Sequence, residues 1–224
     1  MGFIVAIDGP AGSGKGTVTK KVAERLNLVN VDTGAMYRCV TLKALEKNIE
    51  INQTEELEKM LQNITIDMKE KNGINQIFLD GKDVSEEIRT TKIDENVAKY
   101  AAIKCVRDAV TPMQRKMGEN TDIIMEGRDI GTTVFPNANV KIYLDASVEE
   151  RAKRRYNQDI EKGIECTYEE ILESIKQRHK LETEREISPL RQAEDAIYID
   201  SSNMTIEEVT EKIIEIIKQK GYKN

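Results

Sequence analysis

The chain has no tryptophan, three phenylalanines, one histidine, three cysteines and four prolines in 224 residues. So few stacking side chains, with a net charge of −6, exclude the basic, aromatic-studded surface that holds nucleic acid, and give no bulk attraction to an acidic membrane. One histidine, His179, and the scattered Cys39, Cys105 and Cys166 argue against a zinc site. An odd number of distant cysteines reads as free thiols in a reducing compartment, so a cytoplasmic protein is expected. No apolar run approaches membrane-spanning length, and Met1-Gly2-Phe3-Ile4 leads directly into an apolar stretch, leaving no room for a signal peptide.

What the chain does have is a phosphate-binding signature. With 39% hydrophobic residues it can bury a proper core, and its length suits one domain with insertions. Phe3-Ile4-Val5-Ala6-Ile7 reads as a buried parallel strand, and Val18, Val22, Ala23 and Leu26 line one face of a helix. Between them lie Gly9, Pro10, Ala11, Gly12, Ser13, Gly14, Lys15, Gly16 and Thr17. Strand, glycine-rich loop and helix are the context of a P-loop, in which backbone N–H groups and a helix N-terminus surround phosphate oxygens. Lys15 is then the point charge on the β- and γ-phosphates. Gly16 stands where a plain P-loop has its Mg²⁺-binding Ser or Thr, and Thr17 follows. This Gly-Lys-Gly-Thr run resembles the nucleoside monophosphate kinases.

Beyond the loop, helix and strand patterns alternate. Leu28–Val31 reads as a second strand, a helix runs through Val40, Leu42 and Leu45, and residues 54 to 61 form a short helix. Ile64, Ile66 and Met68 then alternate with polar residues, Lys71-Asn72-Gly73 signals a turn, Ile74–Leu79 follows, and Asp80-Gly81-Lys82-Asp83 makes a second turn. This predicts a small antiparallel meander inserted into an α/β chain. From 94 to 117 apolar residues recur at helical spacing, and Pro112 is expected to kink or break that stretch. Ile123–Met125, Lys141–Leu144 and Ala196–Ile199 bring the expected central sheet to five parallel strands flanked by helices. Ser147 with Glu150, Thr167 with Glu170 and Thr205 with Glu208 have capping-box spacing, the last opening an amphipathic helix with Ile206, Val209, Ile213 and Ile217.

The candidate chemistry clusters around arginines. Asp32-Thr33-Gly34-Ala35-Met36-Tyr37-Arg38 follows strand two, at the carboxyl end where open α/β sheets bind ligands. Glu126-Gly127-Arg128-Asp129 follows a buried strand, with Glu126 in a Walker-B-like place for Mg²⁺, Arg128 suited to clamp a phosphate, and Asp129 able to accept from an exocyclic amine. Arg151, Arg154 and Arg155 and then Arg178, Arg185 and Arg191 occupy charged helical stretches where a closing lid is expected, and at least two of these six are expected to be catalytic. Thr91-Lys92-Ile93-Asp94 superficially matches a guanine-reading motif, but it has no apolar strand before it.

Together these motifs, with Asp80–Ser85 and Ile187-Ser188-Pro189-Leu190, resemble the bacterial cytidylate kinases along nearly the whole chain. The resemblance implies transfer of the ATP γ-phosphoryl group to CMP or dCMP in pyrimidine nucleotide metabolism, by a cytoplasmic enzyme that uses Mg²⁺ and acts as a monomer without nucleic-acid or membrane partners. It implies a core of residues 1–32, 104–150 and 188–224, a monophosphate-binding subdomain of residues 33–103, and a lid of residues 151–187. Lys15, Arg128, Arg154, Arg178 and Arg185 are implied to be catalytic, and residues 9–17 to bind ATP. Thr33, Tyr37, Arg38, Arg107, Arg128, Asp129, Arg178, Glu182 and Arg185 are implied to bind CMP, Arg107 and Asp129 reading the cytosine. Thr17, Asp32 and Glu126 are the candidates for Mg²⁺, partly through water. Ala98 departs from a base-contacting serine, and His179 and Glu182 from aspartates, so Glu182 is expected to reach a ribose hydroxyl with its longer arm. Kinases for UMP, AMP or shikimate, and a GTPase-like switch, are the alternatives, and Arg107 with Asp129 favours cytosine.

Overall fold

The structure, a computed structural model, describes residues 2–71 and 74–223. Along the chain run β1 (Ile4–Asp8), α1 (Lys15–Leu26), β2 (Val29–Asp32), α2 (Thr33–Glu46), α3 (Thr54–Leu61), β3 (Ile66–Lys71), β4 (Ile74–Leu79), β5 (Lys82–Asp83), α4 (Thr91–Tyr100) and α5 (Lys104–Met117). Then follow β6 (Ile123–Gly127), β7 (Val140–Asp145), α6 (Val148–Glu161), α7 (Tyr168–Glu184), β8 (Ile197–Asp200) and α8 (Ile206–Gln219). They form two compact units, Met1–Asn30 with Met117–Asn224, and Val31–Lys116.

The first unit is built on the five-stranded sheet, in the order β2-β6-β1-β7-β8. Parallel pairing sets Ile4 against Ile123, Val5 against Val140 and Ile142 against Ile197. All five residues of β1 are buried, as a strand covered on both faces requires, and this is why its apolar run is continuous rather than alternating. One face packs Val5, Ile7, Ile124 and Ile142 against Val18, Val22 and Leu26 of α1 and Val209, Ile213 and Ile217 of α8. Ile206, expected in the α8 stripe, is instead 47% exposed, because it is the first helical residue and the inward face begins one turn later. Thr167 and Thr205 close reciprocal capping boxes with Glu170 and Glu208. Ser147 accepts from the Glu150 N–H, but the Glu150 carboxylate pairs with Arg154 rather than returning to the cap.

In the second unit β3, β4 and β5 form the expected antiparallel meander, with Ile66 opposite Leu79 and Met68 opposite Ile77. Asp80 and Gly81 both have positive φ, at 50° and 84°, the pairing a two-residue hairpin turn needs. Of the other predicted turn, Asn72 and Gly73 lie outside the described residues. The stretch from 94 to 117 breaks at residues 101–103 rather than at Pro112, which lies inside α5. Proline removes the N–H that would bond the carbonyl of residue 108, and that residue is exposed, so water can take its place. The actual break is sealed by Arg107, whose Nη1 donates to the Ala101 carbonyl at 3.2 Å. Cys39, Cys105 and Cys166 are all free, and no described helix is long and apolar enough to cross a membrane.

Candidate active site

Each unit gathers its own set of the expected residues. In the first unit, β1 delivers the chain to Gly9, where a β-carbon would lie 2.0 Å from the Leu144 carbonyl oxygen, so only glycine lets the loop pass β7. The start of α1 has no side-chain cap and no acid in its first turn, leaving its first N–H groups and positive dipole end for an anion. From outside, Arg151 Nη1 donates to the Ala11 carbonyl at 3.2 Å and Arg154 Nη1 to the Ser13 carbonyl at 3.3 Å. In a planar trans peptide the next N–H points the opposite way, so the amides of Gly12 and Gly14 are aimed away from α6. Two arginines of α6 thus hold the loop by its carbonyls.

Lys15 is 5% exposed and donates to the Pro10 carbonyl at 2.8 Å and to Ser13 Oγ at 3.3 Å. Burial, followed by the nearby Arg128 charge, pulls its pKa down to about 7, against the opposing pull of Glu126, Glu182 and Asp8. The Gly16 departure also has a steric cause: a β-carbon there would sit 3.0 Å from Glu126 Oε1, so glycine leaves room for that carboxylate beside the start of α1.

Asp8 was not among the expected site residues. It accepts from the N–H groups of Ile130 and Gly131 at 2.8 and 2.7 Å, which ties the turn after Arg128-Asp129 to the strand that feeds the phosphate loop. Burial pushes its pKa up to about 6, against those two N–H groups. A lone acid ending an otherwise apolar strand, one residue before Gly9, was the available signal.

The arginines arrive with carboxylates. Glu182, 4% exposed, takes Arg128 Nε on Oε2 at 2.8 Å and Arg178 Nε on Oε1 at 2.9 Å. Burial alone would raise its pKa, but the two guanidinium groups outweigh it and hold the carboxyl well below the usual range. Arg128 moves the other way: burial pulls it down, and Glu182 more than restores it. Arg185 donates from Nε to the Ser188 carbonyl at 2.8 Å and lies 3.6 Å from Asp129. Arg154 pairs with Glu150 and also holds Ser201, a residue that no motif had singled out. Arg155 pairs with the buried Asp159, and Arg191 is exposed.

In the second unit, Asp32 caps α2 by accepting from the Ala35 N–H at 3.1 Å, and its other oxygen lies 3.5 Å from Arg89. Thr33 is 3% exposed. Tyr37 and Arg107 are both buried, the guanidinium lying over the ring at 5.4 Å. Arg107 therefore occupies the inward face of α5 with Val106, Val110 and Gln114, a position that apolar periodicity does not suggest. Arg38 pairs with Asp94 and donates to the Ile88 carbonyl at 3.1 Å.

No group of three or more His, Cys, Asp or Glu side chains among the described residues can hold a metal by itself. Glu126 Oε1 lies against Gly16 at the start of α1, and Thr17 is exposed in the first turn of that helix.

A parallel sheet with helices around it, an uncapped helix behind a glycine loop, and a buried lysine among arginines define a P-loop kinase. The sequence profile of the cytidylate kinase family matches residues 5–219. A cytidylate kinase of Fusobacterium nucleatum is 51% identical over 207 residues, 92% of this chain and 93% of its own. One of Bacillus subtilis is 47% identical over 217 residues, 97% of each chain. A solved Thermus thermophilus protein superposes with a TM-score of 0.51 at 16% identity over 98% of each chain, a likeness of fold. The chain belongs to the cytidylate kinase family.

Proposed function

We propose that the protein transfers the γ-phosphoryl group of ATP to CMP or dCMP, giving ADP and CDP or dCDP. The observation that carries this reading is the family match over residues 5–219, together with the buried Lys15 at the uncapped start of α1 behind the glycine loop. Phosphoryl transfer requires little covalent help, so the protein supplies positioning and charge. Residues 9–17 hold the donor phosphates, and Lys15 reaches toward the β,γ side. Arg128, Arg178 and Arg185 grip the acceptor phosphate and the transferred group, and Arg154 supports the donor side through Ser13 and Ser201. Thr33, Tyr37, Arg38 and Arg107 serve the acceptor nucleotide, with Arg107 and Asp129 reading cytosine. Mg²⁺, held on the nucleotide with Glu126 and Thr17, neutralises phosphate charge when bound. Asp32 serves first as the α2 cap. Residues 33–103 act as the monophosphate-binding part and residues 151–187 as the lid. The enzyme works as a monomer in a reducing cytoplasm, in keeping with its free thiols.

The test offers CMP, dCMP, UMP, AMP and shikimate separately with Mg-ATP and follows ADP release. Turnover on CMP and dCMP far above the others is expected, and preference for another acceptor overturns the assignment. Lys15→Ala is expected to lower kcat by about a thousandfold or more while the CMP KM changes little. Equal losses in kcat and CMP binding would remove Lys15 from the role assigned.

A further inference from the structure

We propose that Asp94 is a positioning residue for Arg38 and sets how tightly the acceptor nucleotide is held. This rests on the reading of Arg38 as a clamp on the acceptor phosphate. Asp94 closes the Thr91-Lys92-Ile93-Asp94 run, whose likeness to a guanine-reading motif found no use in the function. In the structure that run is the first turn of α4, with Ile93 buried and the Asp94 carboxylate paired to Arg38.

The Arg38 guanidinium is held at two points from two different elements. Nη1 donates to the Ile88 carbonyl at 3.1 Å, in the 3₁₀ turn of Glu87–Arg89, and Nη2 donates to Asp94 Oδ1. Both charged side chains are largely shielded, 15% and 16% exposed. A guanidinium is a rigid planar fork with five N–H donors, so two anchors fix its plane and still leave donors for a bidentate grip on phosphate. An arginine anchored in this way is ordered before the ligand arrives, whereas an unanchored one has to be ordered by the ligand, at a loss of affinity. On the same face of α4 the next residues are Val97 and Ala98, neither of which carries a polar side chain, so Asp94 is the group this face offers to a guanidinium.

The experiment is steady-state kinetics with CMP and ATP varied in turn, for the wild type, Asp94→Ala, Asp94→Asn, Arg38→Ala and the Arg38→Ala/Asp94→Ala pair, with unfolding midpoints measured for each. Asp94→Ala is expected to raise the CMP KM about tenfold, with kcat and the ATP KM within about twofold. Asp94→Asn keeps an acceptor oxygen and is expected to raise the CMP KM by only about threefold, and it carries the test if the alanine variant does not fold. In the Arg38→Ala background, removing Asp94 is expected to change the CMP KM by less than about twofold, because the group it positions is gone. An unchanged or lower CMP KM in Asp94→Ala, with Arg38→Ala still impaired, overturns the proposal; a lower one means that the carboxylate merely competes with the phosphate. Equal effects of Asp94→Ala with and without Arg38 overturn it as well, by showing a structural role. If Arg38→Ala itself leaves the CMP KM unmoved, the reading of Arg38 fails first and the positioning role falls with it.

Discussion

Lys15 donates to the carbonyl of Pro10 in its own loop, a bond that on the proposed function gives way to bound phosphate. Burial pulls its pKa down to about 7, so the ligand-free lysine gives up its proton more readily than a free one. On the proposed function, bound phosphate favours the charged form, so nucleotide binding near pH 8 is expected to take up protons. Calorimetry in buffers of different ionisation enthalpy measures this directly; Lys15→Ala is expected to abolish the uptake, and a wild type without it contradicts the charge reading. Lys15, Arg128 and Arg178 stood out in the sequence by motif and kind. Their partners did not. Glu182 and Arg128 are 54 positions apart, and only folding shows that one carboxylate serves two arginines.

At the level of elements, two local rules can be tested by single changes. The Thr205 hydroxyl accepts from the Glu208 N–H while the Glu208 carboxylate returns to Thr205, so Thr205→Ala is expected to cost about 1 kcal/mol, seen as a lower denaturation midpoint with kcat unchanged. Gly16→Ser restores the plain P-loop pattern but places a β-carbon 3.0 Å from Glu126 Oε1. That substitution is expected to lower kcat at limiting Mg²⁺ by displacing the carboxylate, and unchanged Mg²⁺ dependence would separate Glu126 from the metal. Periodicity and cap spacing located most helices and strands because both are local. The break after α4 escaped because it depends on Arg107, a buried charge on a face where periodicity expects apolar side chains.

For the molecule as a whole, stability against pH turns on two buried carboxyls of opposite sign. Glu182 is held below the 4.5 of an ordinary glutamate, so its contribution is present above about pH 4.5 and is lost as the pH falls. Asp8 is pushed up from 3.8 to about 6, so its contribution is full below the first value and is lost as the pH rises through the second. Glu182→Gln leaves two arginines short of their counter-charge. It is expected to cost about 3 kcal/mol at neutral pH and to flatten the fall in melting temperature below pH 4.5, as followed by thermal unfolding across pH. A variant that keeps the wild-type acid dependence would shift that role to other carboxylates.

The sequence by itself determined the strand, glycine loop and helix of the P-loop, the inserted meander and the family, because each is written in neighbouring residues as spacing, turn chemistry and motif. Only the tertiary structure decided which carboxylate steadies which arginine, that Glu126 lies against Gly16, and that Arg151 holds the glycine loop while Asp8 holds the turn after Asp129. Those outcomes depend on contacts between residues far apart in the chain, and the energy of a buried charge is set by its neighbours in space rather than by its place in the sequence.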